Sequence, residues 1–238
     1  MLPSVAVIYG ETTVELRFFE IYRSSEYLLL LAEGIMTSAA LTVSAGIMGF
    51  VLAILLASAR HHRWPVLGQL SATFIEFVRN TPLIVQLFFV AFGLPLLLGY
   101  QWAFWAHALL ALIINFSAYF AEILRSGFLS VPVGQLEAAK TLGIPRFIAF
   151  WKILLPQAVA TMYPSLSSQF IFLFLTTGVI AEIGVRDLTF AGLFIDSRSF
   201  RSFEVFFTLT ILYILMALSF KGVLRLVFVK KFSWWSAP

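Results

Sequence analysis

Long apolar runs separated by short polar segments dominate the pattern along the chain. A helix that crosses a hydrocarbon core about 30 Å thick needs about 20 apolar residues, and each run reaches that length. Lipid offers no hydrogen-bond partners to the backbone, so segments that cross it are expected to be helical. The pattern therefore predicts five membrane-spanning helices, at about residues 27–59, 67–97, 102–124, 156–180 and 203–229.

The first 26 residues differ from this pattern, because glutamate and arginine alternate there with apolar residues. Such a segment suits a short helix lying at the membrane surface, and a partly ordered tail is the alternative. It lacks the basic, apolar and small-residue regions of a cleaved signal peptide. We therefore divide the chain into an N-terminal interfacial segment, 1–26, and a transmembrane domain, 27–238.

Composition agrees with a membrane protein. Hydrophobic residues make up 61% of the chain, charged residues 12%, and the mean hydropathy is +0.95. A soluble domain has about 25% charged residues, so this chain has too little polar surface to cover a globule. The absence of cysteine excludes disulfides and thiolate metal sites. The predicted fold class is an all-α integral membrane bundle.

The distribution of positive charge predicts the orientation. Ten lysines and arginines lie in the segments that follow the first, third and fifth spans, and five lie on the opposite side. Positively charged loops stay in the cytoplasm. The N-terminus is therefore predicted outside and the C-terminus inside, and the connector 125–155 is predicted to be cytoplasmic.

Polar residues interrupt the second span around a proline. Pro82 lacks a backbone donor and clashes with the carbonyl of Val78, so the helix is expected to kink. Asn80 and Thr81 can satisfy the groups that the kink frees, and Gln86 follows one turn later. Because polar groups inside a membrane are unfavourable and tend to be functional, these residues are candidates for lining a polar path. A structural kink sealed by its neighbours is the alternative.

Two further spans carry polar stripes. In the third, Asn115 and Tyr119 lie four residues apart and share a helix face with Glu122. These residues can line the same path or hold helices together. The candidates from the polar face of the fourth span are Gln169, Thr176 and Thr177.

Two ion pairs are predicted within the spans. Glu76 and Arg79 are three residues apart on one helix face, and so are Glu122 and Arg125. Both pairs are interpreted as structural. The three histidines lack the spacing of metal ligands, so no metal site is predicted.

The connector 125–155 is predicted to form two short helices. Gly143 can adopt the left-handed backbone conformation that ends a helix, and Pro145 can open the next. The resulting elbow would offer one anionic contact and two small side chains, Glu137, Ala138 and Ala139. A docking surface for another protein and an ordinary solvated loop are both compatible with this pattern.

The same connector carries a longer motif. Glu137-Ala138-Ala139, then three residues, Gly143, then nine residues, and Ile153-x-Leu155-Pro156 resembles the EAA motif of bacterial ABC importer permeases. The stretches 79–86 and 119–125 resemble the polar amino acid uptake subgroup of that family. The resemblance covers roughly residues 34–228.

This resemblance implies a transmembrane permease subunit that forms a translocation path together with a second, identical or homologous permease. Two cytoplasmic ATPase subunits would bind the ATP and magnesium, because this chain has no Gly-rich phosphate loop ending in Gly-Lys-Ser/Thr and is not expected to be an enzyme. A periplasmic or extracellular solute-binding protein would deliver a polar amino acid or derivative at the bacterial inner membrane. The implied docking residues are Glu137, Ala138, Ala139 and Gly143.

One segment departs from the subgroup. Where its members usually have Leu-Lys-Asp/Asn-Thr-Ser, residues 174–178 are Phe-Leu-Thr-Thr-Gly, so that Leu175 and Thr176 replace a basic and an acidic position. An importer of another solute class and a non-transporting scaffold or signalling subunit are the alternatives. A secondary transporter is disfavoured, because the chain lacks two repeated halves and paired broken helices.

Overall fold

The computed structural model describes residues 5–9 and 12–235, and it begins with a β-hairpin. Strand β1 (Val5–Tyr9) pairs antiparallel with β2 (Thr12–Leu16), and the one-turn helix α1 (Phe19–Tyr22) follows. Strand β1 contains two valines and an isoleucine, and β2 contains two threonines and a valine, which are β-branched residues that favour extended backbone. The surface helix considered for residues 1–26 is therefore wrong for the described part of this segment up to residue 16.

The first two spans differ in continuity. Helix α2 (Ser25–His61) is unbroken over 37 residues, whereas the second span is divided between α3 (Leu67–Arg79) and α4 (Leu83–Phe88). A π-helical turn, Phe89–Gly93, carries α4 into α5 (Leu94–Leu98). The break at Pro82 is thus sharper than the predicted kink.

Helix α6 (Phe104–Ser130) is the third span and leads into the connector. The connector contains two short helices, as predicted: α7 (Val133–Thr141) and α8 (Arg146–Ala149). A π-helical turn, Phe150–Leu154, then leads into α9 (Leu155–Thr161).

The fourth and fifth spans follow, with a helix between them. Helix α10 (Tyr163–Thr176) continues as a 3₁₀ turn, Thr177–Ile183. Helix α11 (Leu188–Ser199) lies between these two spans, and α12 (Ser202–Lys231) ends the described helices. Among the described residues, four helices are long and apolar enough to cross a membrane, and the bent α3–α5 segment passes the same test if it is taken as one broken span. The predicted helical membrane bundle is confirmed, with four to five candidate spans.

Small residues bring α2 and α6 together. On α2, Ala45, Ala53 and Ala57 are fully buried, and Gly49 completes a series with a spacing of four residues. A Cβ atom on Gly49 would lie 3.5 Å from the carbonyl oxygen of Ile113 on α6. Because lipid provides no hydrophobic drive between helices, close packing of this kind is what holds them together.

Helix α11 packs against the other end of α2. A Cβ atom on Gly34 would lie only 2.8 Å from the carbonyl oxygen of Asp187 and from Cα of Leu188. One turn along α2, the hydroxyl of Ser38 accepts a hydrogen bond from the backbone N–H of Leu188. The absence of a side chain at position 34 therefore lets the start of α11 lie directly on α2.

A buried carboxyl group caps α11 at this contact. Oδ1 of Asp187 accepts a hydrogen bond of 2.8 Å from the backbone N–H of Phe190, whereas Oδ2 is buried and has no hydrogen-bond partner in the described part of the chain. Burial raises the pKa of Asp187 to about 6, against the opposing effect of its backbone hydrogen bonds. The fold thus places an ionisable group where its charged form is poorly solvated.

Candidate functional site

The most irregular part of the membrane domain is the break in the second span. The axis turns by 108° between Leu67–Arg79 and Leu83–Leu98. Pro82 stands just before α4 with φ −60° and ψ 138°, and these extended angles end one helix and start another. The break leaves the last carbonyl groups of α3 without the backbone donors that a continuous helix would supply.

Side chains satisfy these carbonyl groups. Nδ2 of Asn80 donates to the carbonyl oxygen of Glu76, and Oγ1 of Thr81 donates to that of Phe77, each at 2.8 Å. Thr81 therefore satisfies the carbonyl group of Phe77, which the break frees, because the backbone N–H of Thr81 donates to Val78 instead. The carbonyl oxygen of Glu76 keeps its backbone donor, the N–H of Asn80 at 3.1 Å, and the side chain of Asn80 adds a second hydrogen bond to it. Their own surfaces stay accessible, so both also remain available to a solute.

Gln86 has a mainly structural position. Its Nε2 atom donates to the carbonyl oxygens of Val78 at 2.8 Å and Thr81 at 3.0 Å, and its Oε1 atom accepts from Nδ2 of Asn115 at 3.1 Å. Gln86 and Asn115 are both buried. These hydrogen bonds join the two sides of the break to α6 and stabilise the bend.

A cleft of about 470 Å³ lies at the break. It is open on one side and brings together residues from three spans. Six of the nine path residues predicted from the sequence line it: Asn80, Thr81, Pro82, Asn115, Tyr119 and Thr176. The structure adds Arg79, Leu83 and Phe172 to the lining.

The other three candidates lie outside the lining. Gln86 is behind the break, as described above, and Thr177 is fully buried with its hydroxyl donating to the carbonyl oxygen of Phe174 at 2.7 Å. Gln169 also lies away from the cleft, and its Nε2 atom is buried with no hydrogen-bond partner within the described ranges. Thr176 and Thr177 are adjacent but project in different directions, since neighbouring helical residues are about 100° apart.

An ionic cluster ties three spans together beside the cleft. Glu122 on α6 accepts hydrogen bonds from Arg60 of α2 at 2.8 Å and from Nε of Arg125 at 2.9 Å. Arg79 lies 4.0 Å from the same carboxylate and also 5.5 Å from the ring centre of Tyr119. The predicted Glu122–Arg125 pair is confirmed.

The predicted pairing of Glu76 with Arg79 is wrong. Among the ion pairs of the described residues, Arg79 pairs with Glu122, and Glu76 is exposed. Residues three apart on a helix can meet, but Arg79 sits at the end of α3, where its long side chain reaches α6 instead. The guanidinium group of Arg79 thus lies at the cleft.

The elbow has the geometry that its sequence predicts. The N–H of Ile144 donates to the carbonyl oxygen of Ala139 and that of Gly143 donates to Lys140, each at 3.0 Å, and Gly143 has φ +72°. This is the Schellman arrangement that ends a helix at a left-handed glycine. The side chain of Gln157 on α9 donates to Gln135 at 2.8 Å and fixes the elbow to the membrane domain.

The four implied docking residues are not equally accessible. Glu137, Ala138 and Gly143 are exposed, whereas Ala139 is 3% exposed and packs inside the chain. Ala139 can therefore hold α7 against the membrane domain, and its three companions form the surface that another protein could contact.

Substituting Gln86 and Gln169 should separate an amide that supports the fold from one whose buried nitrogen has no hydrogen-bond partner among the described residues. Gln86→Leu leaves the carbonyl groups of Val78 and Thr81 without their side-chain donor, so we expect it to lower the unfolding free energy by about 2 kcal/mol. Gln169→Leu removes a buried amide nitrogen with no partner, and its effect should stay within about 0.5 kcal/mol. Thermal unfolding in detergent measures both, and equal losses would contradict the assigned role of Gln86.

Comparison with known proteins identifies the family to which this architecture belongs. Residues 25–231 match the family described as binding-protein-dependent transport system inner membrane component. The chain belongs to this family. It is therefore a multi-pass permease component of a transport system, and its sequence resemblance to ABC importer permeases is confirmed.

Individual relatives of the permease agree. It is 36% identical over 186 residues to the L-cystine transport system permease protein TcyL of Bacillus subtilis, covering 75% of this chain and 77% of that protein. It is 33% identical over 169 residues to the probable amino-acid ABC transporter permease protein PatM of Vibrio harveyi, covering 70% and 76%.

Solved structures confirm the fold of the permease. A chain of an amino acid ABC transporter crystallised with histidines superimposes with a TM-score of 0.79 at 30% identity, covering 91% of this chain and all of that one. The MetNI methionine ABC transporter in an inward-facing conformation gives 0.70 at 20% identity, covering 86% and 99%, and supports the fold alone.

Two residues at or beside the cleft of the permease, Phe172 and Arg60, are absent from the predicted site, and only Phe172 carries a local signal in the sequence. Phe172 is four residues before Thr176, so helical spacing alone places both on one face. Arg60, which directly follows the first predicted span, pairs with Glu122. Residues 62 positions apart carry no local signal of pairing, so only the packing of α2 on α6 brings these two together.

Proposed function

We propose that this permease carries a polar amino acid or a close derivative through the cleft at the broken second span, as part of an ATP-driven importer. The observation that carries the proposal is the cleft of about 470 Å³ lined by polar groups from α3, α6 and α10. Relatives named for amino-acid and L-cystine transport support this class of cargo.

The lining has the chemistry that such a cargo requires. Arg79 is a permanent cation, 41% of its side chain is exposed, and none of the described residues that line the cleft is acidic. A carboxylate entering the cleft would meet the guanidinium group, and the amide and hydroxyl oxygens of Asn80, Thr81 and Thr176 would accept hydrogen bonds from an ammonium group.

A second permease, identical or homologous, would close the cleft. Exposed apolar side chains occur in the cleft and on the helices that flank the break: Phe172 in the lining is 54% exposed, Phe77 on α3 is 70% exposed and Val85 on α4 is 53% exposed. Packing a second permease on this surface would shield the cargo from lipid and complete the translocation path.

The cytoplasmic ATPase subunits would bind at the elbow. Glu137, Ala138 and Gly143 form an exposed surface of one carboxylate and two small residues on α7 and its end, and this surface can enter a groove on each of two cytoplasmic ATPase subunits. ATP and magnesium would be bound by those subunits. The permease then acts by changing conformation and performs no catalysis itself.

The proposed orientation follows the positive charge. The elbow and the C-terminus would face the cytoplasm, and the N-terminal hairpin and α11 would face a periplasmic or extracellular solute-binding protein. The membrane would be the bacterial inner membrane, as the family description suggests.

Recovery of partners from native membranes tests this proposal. The permease is purified in mild detergent and its partners are identified by mass spectrometry, alongside Glu137→Lys and the matched charge reversal Glu182→Lys. Both glutamates are exposed, but they lie on opposite sides in the proposed orientation. We expect an ATPase subunit with the native chain and with Glu182→Lys, and its loss with Glu137→Lys.

The outcomes separate the parts of the proposal. Absence of any ATPase from membranes that contain intact permease would overturn the importer function. Retention of the ATPase by Glu137→Lys would reject docking through the elbow. Stimulation of ATP hydrolysis in the recovered complex by amino acids, among a broad panel of solutes, would support the cargo class, and stimulation by another class alone would replace it.

A further inference from the structure

A second cleft, of about 240 Å³, lies between the end of α2 and the elbow. Its floor is apolar and formed by residues of α7, the π-helical turn and the segments beside them: Leu136, Ile144, Ala149, Phe150 and Leu154. The cleft holds on the order of eight water molecules by volume, which is the scale of a small polar headgroup rather than of a whole lipid.

Its polar lining is basic. Lys140 and Arg146 supply two permanent cations from α7 and α8, and the imidazoles of His61 and His62 lie at the end of α2. None of the described residues that line the cleft is acidic. The ion pairs within the described part of the chain involve Arg17, Arg60, Arg79, Arg125 and Arg201, and none of these four basic side chains.

Aromatic side chains set the depth of the cleft in the membrane. Trp64 stacks on His62 with ring centres 6.2 Å apart and is 49% exposed, and Trp151 meets Phe150 at 5.4 Å and is 42% exposed. Phe147, beside Arg146, is 74% exposed. Exposed tryptophans mark the level of lipid headgroups in membrane proteins. The cleft therefore lies at the level of the lipid headgroups, where it can contact both a phosphate group and the start of an acyl chain.

We propose that this cleft binds the headgroup of an anionic phospholipid. Its phosphate would lie between Lys140 and Arg146, and the apolar floor would contact the glycerol backbone and the first methylenes. Basic pockets at the cytoplasmic ends of spans recognise anionic headgroups in this way. The assignment to the cytoplasmic leaflet rests on the proposed orientation, whereas binding itself does not depend on an ATPase or a cargo.

A bound lipid at this place would contact both α2 and the elbow. The cation Lys140 is in the same short helix as Glu137 and Ala138, the exposed residues of the docking surface. Lipid binding would therefore hold α7 at a fixed position relative to α2, and anionic lipid would support the docking-competent arrangement of the elbow.

Competition between two phospholipids tests the proposal. The full-length chain in detergent is exposed to equal amounts of phosphatidylglycerol and phosphatidylcholine, and retained lipid is counted by native mass spectrometry. We expect a preference for phosphatidylglycerol that falls about tenfold in the double variant Lys140→Gln with Arg146→Gln. The matched control, Lys230→Gln with Lys231→Gln, removes two exposed cations from the end of α12 and should keep the preference.

Each result has a definite meaning. Equal loss in both double variants would overturn the proposal, because the preference would then come from diffuse positive charge. A native preference that millimolar inorganic phosphate abolishes would also overturn it, since free phosphate would be the ligand. Chemical crosslinking of the cleft to an ATPase peptide in place of lipid would assign it to protein docking. Both double variants should unfold at about the same temperature as the native chain, which shows that neither is misfolded.

Discussion

Replacing Gly34 with leucine should lower the unfolding free energy of the permease by about 3–4 kcal/mol, the largest effect expected of any single substitution considered. Even the first carbon of the new side chain would lie 2.8 Å from backbone atoms of Asp187 and Leu188. Backbone atoms cannot rotate away as a flexible side chain can. Helix α11 would have to leave α2, and the hydrogen bond between Ser38 and Leu188 would break with it.

The matched control for this substitution is Gly222→Leu in α12. A Cβ atom on Gly222 would meet nothing within 4 Å, and leucine is the better helix former by about 1 kcal/mol. We therefore expect unchanged or slightly higher stability. Thermal unfolding in detergent and elution of a monodisperse species measure both variants. Similar losses of stability in the two variants would show that the close packing of α2 on α11 does not require glycine at position 34.

Asp187→Asn should stabilise the permease by about 2–3 kcal/mol at pH 7.5 and have little effect near pH 4. The pKa of Asp187 is raised from 3.8 to about 6, mainly because burial disfavours the charged form. Between these two values the folded protein keeps a proton that the unfolded chain has lost. The unfolding free energy therefore falls as pH rises from about 4 to about 6, by about 3 kcal/mol for a shift of this size. An amide at this position carries no charge and avoids that loss.

Comparing the variant with the native chain from pH 4.5 to 8 isolates this group, because the other ionisable residues are common to both. Asp187→Ala serves as the control for capping: it removes the acceptor for Phe190 as well as the charge, and should be about 1 kcal/mol less stable than the asparagine variant at every pH. A native chain that is more stable than Asp187→Asn at pH 7.5 would show that the ionised carboxylate has a partner outside the described part of this chain.

The break in the second span shows how far the sequence predicts the cleft. Pro82 predicts a disturbance, and the side chains of Asn80 and Thr81 donate to carbonyl groups at the end of α3, of which that of Phe77 is freed by the break. Gln86 looks equivalent in sequence because it is polar and one turn away. In the structure it turns back to Val78 and across to Asn115, so it supports the cleft without lining it.

In the elbow, too, the sequence predicts the local structure, and the packing decides which residues are exposed. The left-handed conformation at Gly143 and the two short helices are local properties, so residue types are enough to predict them. Adjacent alanines differ only in which side of α7 they occupy. Ala138 is exposed and Ala139 is buried because α7 lies against the membrane domain, and its orientation depends on contacts such as that between Gln135 and Gln157.

The sequence by itself determined the membrane class, the apolar spans, the helical connector and the family, because each depends on residue types at fixed local spacing. The tertiary structure decided which polar residues share a cleft, that Arg79 faces Glu122 instead of Glu76, and that a carboxyl group is buried at Asp187. These features depend on pairs of residues far apart in the chain, such as Arg60 with Glu122 and Gly34 with Asp187. Periodicity places a residue on a face of its own helix, and only the packing of the helices decides what that face meets.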